Sequence, residues 1–432
     1  MEHAKDIVTG YDSNLARNYK PMEGFTIAGS YAQYVIDTAG TYKLDGLSCY
    51  GAVNFGHKHP RIVEAVLKTL ETPEFFVREV NDGIAKPGFC HGANDGFGGL
   101  TAVSRNFKTE AAEKLARRLC EITGYNRMLP SSGGAEAVET AIKAMRRWGC
   151  DTKGIPDGTQ QIIVAEDCFH GRTTTIISAS CDPTAKHGYG PLTPGFLKVP
   201  FGDAEALEKL LEARAHEIAG LLLEPVQGEG GVIVPPKGYL TKCQELCKKH
   251  NVMFVLDEIQ SGMGRTGKNF AYEHELKTRP DGIILAKALS GGMVPLSAFV
   301  ANDYLLDAIT VATHGSTYGG NPLASLIGVA AIDTLINENM AEKSAELGEQ
   351  MMSELRLLNE KSILDVRGQG FWVGLQFKDE KTAKEFARLI SVEEHVIVKD
   401  NRDVVRLSPP FCTTKDEVSL ITKAVQRVAQ RV

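Results

Sequence analysis

A lysine closes the apolar run Gly-Ile-Ile-Leu-Ala-Lys at 282–287. A buried ammonium is costly unless it is paired or used as an amine. Two other apolar runs end on carboxylates. Val-Met-Phe-Val-Leu leads into Asp257, followed by Glu258 and Gln260. Ala-Gly-Leu-Leu-Leu leads into Glu224, followed by Gln227 and Glu229. A fourth feature is Gly133–Gly134 at the start of a helical pattern. Helix N-terminal N–H groups bind phosphate, and glycine lets it come close. Phe169, just beyond Ile-Ile-Val-Ala-Glu-Asp-Cys, could stack on a flat ring. An amine nucleophile, a carboxylate on a neighbouring strand and a phosphate cradle together suit pyridoxal phosphate. The lysine would form its Schiff base, and the carboxylate would keep the ring nitrogen protonated so that the ring acts as an electron sink. Each feature alone is weak: a strand-end lysine is more often structural, and Gly-Gly before a helix is usually only a turn.

These groups meet only if they lie at the carboxyl ends of parallel strands, where open α/β sheets bind ligands. Apolar runs at 161–167, 219–226, 252–259, 282–286 and 296–301 predict strands buried on both faces. Between Gly134 and Trp148, the residues Val138, Ala141, Ile142 and Met145 share one helix face. Strands alternating with helices imply an α/β fold with a mostly parallel sheet covered by helices on both sides. A long helix is predicted after Pro322, then a smaller sheet and a closing helix. The expected division is 1–60 as an N-terminal segment joining the small domain, 61–330 as the large domain, and 331–432 as a small α+β domain. The Gly-, Asn- and Asp-rich stretch 73–106 reads as a long loop, a feature often functional in compact domains.

Composition narrows the class. The chain has 432 residues, enough for two or three domains and a large core. It is 43% hydrophobic and 24% charged, with a net charge of −6, so nothing electrostatic favours a nucleic-acid or anionic-membrane partner. No apolar run approaches the roughly 18 residues of a membrane span. The N-terminus lacks a basic-then-apolar leader. Nine scattered cysteines read as reduced thiols, which implies a cytoplasmic protein.

Three segments in order, Val255–Gly267, Asp281–Gly292 and His314–Ala324, resemble the class III pyridoxal-phosphate-dependent aminotransferases of fold type I. The match in order and spacing spans about residues 40–430. The resemblance implies a seven-stranded, mostly parallel sheet in the large domain. It implies Lys287 as the Schiff-base lysine, Asp257 as the partner of the ring nitrogen, Gln260 at the ring oxygen and Phe169 stacked on the ring. Gly134 and Ala135 would give backbone N–H groups to the phosphate. Ser316 and Thr317 would reach the phosphate of a neighbouring subunit, making the active unit a homodimer.

Within that class, the stretches 47–60, 146–156, 180–196 and 224–235 are similar to ornithine δ-aminotransferases. Tyr50 matches the tyrosine that contacts the α-amino end of ornithine, where acetylornithine and γ-aminobutyrate relatives carry small or aliphatic residues. Arg172 matches an arginine holding a substrate carboxylate, a task suited to its bidentate fork. Glu229 and Arg406 match a switch: the glutamate masks the arginine when ornithine binds and frees it for 2-oxoglutarate. That pair is shared with the acetylornithine and γ-aminobutyrate enzymes. The implied reaction moves the δ-amino group of ornithine to 2-oxoglutarate, with Lys287 shuttling a proton. It would yield glutamate 5-semialdehyde and glutamate. One departure stands out: Lys108 follows Ser-Arg-Asn-Phe where the ornithine enzymes have a second substrate tyrosine. Other ω-amino acid aminotransferases, or an aminomutase, racemase or decarboxylase of the same fold, are the alternatives.

Two further patterns compete. Gly262–Lys268 fits a P-loop spacing, but Asn269 stands where a magnesium-binding hydroxyl belongs. Cys243, Cys247 and His250 share a helical stretch with no second ligand pair, so packing is the expected role of the two cysteines and no metal is expected.

Overall fold

The computed structural model describes residues 22, 24–70, 76–81, 84–88, 102, 107–358 and 360–432. Seven strands form the main sheet: β1 (Arg127–Ser131), β2 (Gln161–Ala165), β3 (Phe196–Val199), β4 (Ile218–Leu223), β5 (Met253–Asp257), β6 (Gly282–Leu285) and β7 (Ser297–Ala301). Their order is β1-β7-β6-β5-β4-β2-β3. β7 runs antiparallel to both its neighbours, and the pairs from β6 to β3 are all parallel. All five predicted apolar runs are interior strands, four of them parallel and the fifth, β7, antiparallel. Every residue of β4, β5, β6 and β7 is buried, which is why they read as unbroken apolar runs.

Alternate side chains enter two cores. Ile283 and Leu285 face one, and Ile284 faces the other. Helix α1 (Gly134–Asp151) packs Val138, Ala141, Ile142, Met145 and Trp148 into the second core. Its approach to β4 is close: a Cβ on Gly149 would stand 2.7 Å from the Ala219 side chain. Helix α2 (Pro322–Asn337), begun by an Asn321 side-chain cap, fills the first core through Ile327, Ile332 and Leu335.

The sequence did not signal β1 and β3, which are the sheet edges. β1 contains Pro130, tolerated because an edge strand has one side without a ladder. β3 is only partly buried, so its apolar pattern is diluted. The loop expected over 73–106 needs correction. Within it, Phe76–Asn81 and Ile84–Gly88 pair antiparallel, joined in sequence by Asp82–Gly83, a strong hairpin signal. The remainder of that stretch, apart from Ala102, lies outside the described residues.

Two smaller sheets complete the fold. Ile27–Tyr31, Tyr34–Asp37 and Tyr42–Asp45 form an antiparallel meander whose last strand pairs in parallel with Val396–Ile397. Ile363–Gly368, Val373–Phe377, Val404–Leu407 and Lys399–Asn401 form the other. The pairing of the N-terminal meander with Val396–Ile397 joins the two ends of the chain in one sheet; the division at 60 and 330 is our proposal. Among the described residues no helix is long and apolar enough to cross a membrane.

Candidate active site

Parallel register brings the chemistry to one sheet edge. Asp257 is the last residue of β5 and lies beside Ile284 of β6, and Lys287 stands just beyond the end of β6, after Ala286. Lys287 begins a short 3-10 turn with φ of 47°. A left-handed conformation costs a non-glycine residue about 1–2 kcal/mol, and such strain concentrates at functional sites. The turn aims the side chain back across the strand ends, where Nζ donates to Gln260 Oε1 at 3.1 Å. Gln260 has that reach because position 228 has no side chain: a Cβ there would stand 2.5 Å from Gln260 Oε1.

A cavity of about 380 Å³ opens at this edge, lined by Lys287, Asp257, Gln260, Phe169, Gly134 and Ala135 among others. Its floor at the α1 N-terminus is open, since a Cβ on Gly133 would meet nothing within 4 Å. Ser297 of β7 holds that turn by donating to Gly133 O at 2.7 Å. The Glu136 carboxylate accepts from the N–H groups of Ser132 and Gly133.

The electrostatics of the cavity follow from burial. Desolvation pulls the Lys287 amine down to about 8, against the opposing pull of Glu229 and Asp257. Asp257, 4% exposed, accepts from the Ile259 N–H at 3.0 Å and lies 2.7 Å from His170 Nδ1. Burial works against charging His170, yet Cys168 and Asp257 outweigh it and hold the imidazole well above its ordinary pKa. Glu224 is pushed up to about 7 by burial, while its oxygens accept from the N–H groups of Phe169 and Gly228. It therefore ties the Phe169 turn to the loop that carries Glu229. Sequence reasoning placed Glu224 at a strand end without a role and missed His170. The available signal was adjacency, since His170 directly follows Phe169, the residue expected to stack on a ring.

Beside the cavity, Arg406 Nη1 bonds Glu229 Oε1 at 2.6 Å. Arg406 is 2% exposed, and its guanidinium lies 5.4 Å from the centre of the Tyr50 ring. Tyr50 sits in a run of left-handed residues, Ser48 to Gly51, that turns its ring towards the arginine. Arg172 is exposed, with its guanidinium 5.1 Å from the Phe169 ring centre. Ser316 and Thr317 do not line this cavity. Ser316 Oγ accepts from the Gly319 N–H, and Thr317 lines a separate cavity of about 200 Å³ together with Lys108. The Gly262–Gly267 segment buries Arg265 in the core and precedes no helix N-terminus like that of a P-loop. Cys243 and Cys247 are packing residues of the first core.

The family model described as aminotransferase class III matches residues 78–429. The chain belongs to the class III aminotransferases. Among its relatives, an ornithine aminotransferase of Staphylococcus epidermidis is 39% identical over 429 residues, covering 99% of this chain and 100% of that protein. The crystal structure of the ornithine aminotransferase from Toxoplasma gondii ME49 is 31% identical with a TM-score of 0.86, covering 96% of this chain and 92% of that one. The acetylornithine aminotransferase from Elizabethkingia anophelis is 38% identical with a TM-score of 0.82, covering 96% of both chains. The fold is that of the fold type I enzymes, and the chain is a pyridoxal-phosphate-dependent aminotransferase. The residues present fit that cofactor: a buried amine, a carboxylate paired with a histidine, an aromatic ring and an open helix N-terminus share one cavity.

Proposed function

We propose that this aminotransferase moves the δ-amino group of L-ornithine to 2-oxoglutarate, giving glutamate 5-semialdehyde and glutamate. The observation that carries the reading is the Glu229–Arg406 ion pair with Tyr50 against the guanidinium. A masked arginine does not draw the α-carboxylate of ornithine, so the δ-amine is the end presented to the cavity. Tyr50 is the group that favours ornithine over its acetylated relative, and Arg172 is assigned to the carboxylate. For 2-oxoglutarate, Glu229 must swing off and leave Arg406 free for a bidentate pair with the carboxylate. Its side chain is 30% exposed and is followed by two glycines, so room for that motion exists.

Bound pyridoxal phosphate supplies an electron sink for the carbanion left when the amine-bearing carbon loses its proton. Lys287, as a neutral amine, takes that proton and returns it, a task an arginine cannot perform because it stays charged. Asp257, backed by His170, would hold the proton on the ring nitrogen, and Gln260 the ring oxygen. Phe169 would cover the ring face. Gly134 and Ala135 would give backbone N–H groups to the phosphate. Ser316 and Thr317, which do not line their own chain's cavity, are assigned to the phosphate of a partner in a homodimer. The scattered free thiols support a cytoplasmic location.

The test follows the visible absorption of the cofactor-loaded protein on separate addition of ornithine, N-acetylornithine and γ-aminobutyrate. Ornithine should bleach it fastest, and 2-oxoglutarate should restore it. Faster bleaching by either other amine would assign the donor to that amine and make Tyr50 a misleading guide.

A further inference from the structure

Arg265 is fully buried, 0% exposed, and its bonds go only to neutral oxygens. Nε donates to Asn54 Oδ1 at 3.1 Å, and Nη2 reaches the same oxygen. Nη1 donates to Phe371 O at 2.8 Å and to Pro409 O at 2.9 Å. Its guanidinium lies 4.6 Å from the centre of the Phe411 ring. Among the described residues no carboxylate pairs with it. A buried cation without an ion-pair partner gives poor stability for its desolvation, and an apolar replacement of similar volume is often no worse. What the fork offers instead is geometry: several donors in one rigid plane fix several acceptors at once, which an ammonium cannot do.

The acceptors belong to the segments that carry the groups around the substrate. Asn54 closes the turn-rich stretch that bears Tyr50. Pro409 follows the strand Val404–Leu407 that bears Arg406. Phe371 precedes Trp372, whose ring lies under Gly228 beside Glu229: a Cβ at 228 would stand 3.0 Å from Trp372 Cζ2. Arg265 itself lies on the loop that leaves β5 through Gln260. Backbone bonds lace two of the same segments, Ser408 N to Gly46 O and Phe411 N to Asn54 O, both at 2.7 Å.

We propose that Arg265 is a positioning residue for substrate recognition. It sets Tyr50, Arg406 and Glu229 at their working distance from Lys287, through Asn54, Pro409 and Phe371. This inference rests on the assignment of those three residues to substrate.

The experiment compares Arg265→Lys, Asn54→Ala and Arg406→Lys as cofactor-loaded enzymes. The expected result for the first two is unchanged visible absorption, kcat within about threefold, and KM for both substrates raised about tenfold. Asn54→Ala removes one acceptor while leaving the cation in place, so it decides the matter if Arg265→Lys does not fold. Loss of thermal stability with both KM values unchanged would make Arg265 purely structural and overturn the proposal. Arg406→Lys separates the two failures. If it leaves the 2-oxoglutarate KM unchanged, the substrate assignment itself is wrong. If it raises that KM while the other two variants do not, only the role of Arg265 fails.

Discussion

Lys287 shows how one residue's chemistry is set by its surroundings. Burial lowers its amine to about 8, whereas an exposed lysine titrates near 10.5. Below that pKa the amine is charged and cannot attack an aldehyde; above it the neutral nucleophile dominates. The rate at which cofactor-stripped protein captures pyridoxal phosphate should therefore climb with pH and level off above about 8. Stopped-flow absorbance across pH 6 to 10.5 reads this directly, and a climb that continues to the top of that range would mean an unperturbed lysine. The residues that tune the site were only partly legible. Asp257 and Lys287 stand out because a charge at the end of an apolar run is anomalous. His170 does not, because a histidine in a turn breaks no pattern.

At the scale of elements, the loop through Gly370 and Phe371 is clamped between Arg265 and the helix Met340–Leu357. A Cβ on Gly348 of that helix would lie 2.0 Å from Gly370 O, and backbone there has no flexible end to yield. Gly348→Ala should therefore destabilise the protein by about 1–3 kcal/mol, as overpacked cores do, despite alanine's better helix propensity. Urea unfolding monitored by circular dichroism checks this; an unchanged or higher midpoint would show that the helix can lift without cost. Fully buried strands were readable in the sequence for the same reason they are central: no solvent-facing side chain interrupts them. Edge strands β1 and β3 were not, because partial exposure and Pro130 dilute the signal.

The whole molecule adds a question that a single chain leaves open. Lys287 and Thr317 stand in separate cavities of one chain, although both are assigned to cofactor binding. If the enzyme is a dimer with Thr317 acting on the partner, a hybrid of one Lys287→Ala chain and one Thr317→Ala chain holds one site with both defects and one with none. Differentially tagged, co-expressed hybrids should then bind cofactor tightly at one site and recover activity that neither parent homodimer has. A hybrid no better than the mean of its parents would place Thr317 in its own chain's site or remove its role.

The sequence by itself determined the order of chemical groups along the chain and the strands that carry Asp257 and Lys287. Both are local properties, written in apolar runs and in charges that end them. The tertiary structure decided which of those groups meet. Glu229 and Arg406 pair across widely separated segments. Arg265 gathers acceptors near residues 54, 371 and 409 around one guanidinium. No periodicity encodes such meetings, because they depend on how sheets close and loops return, and on where burial removes water from an ionised group.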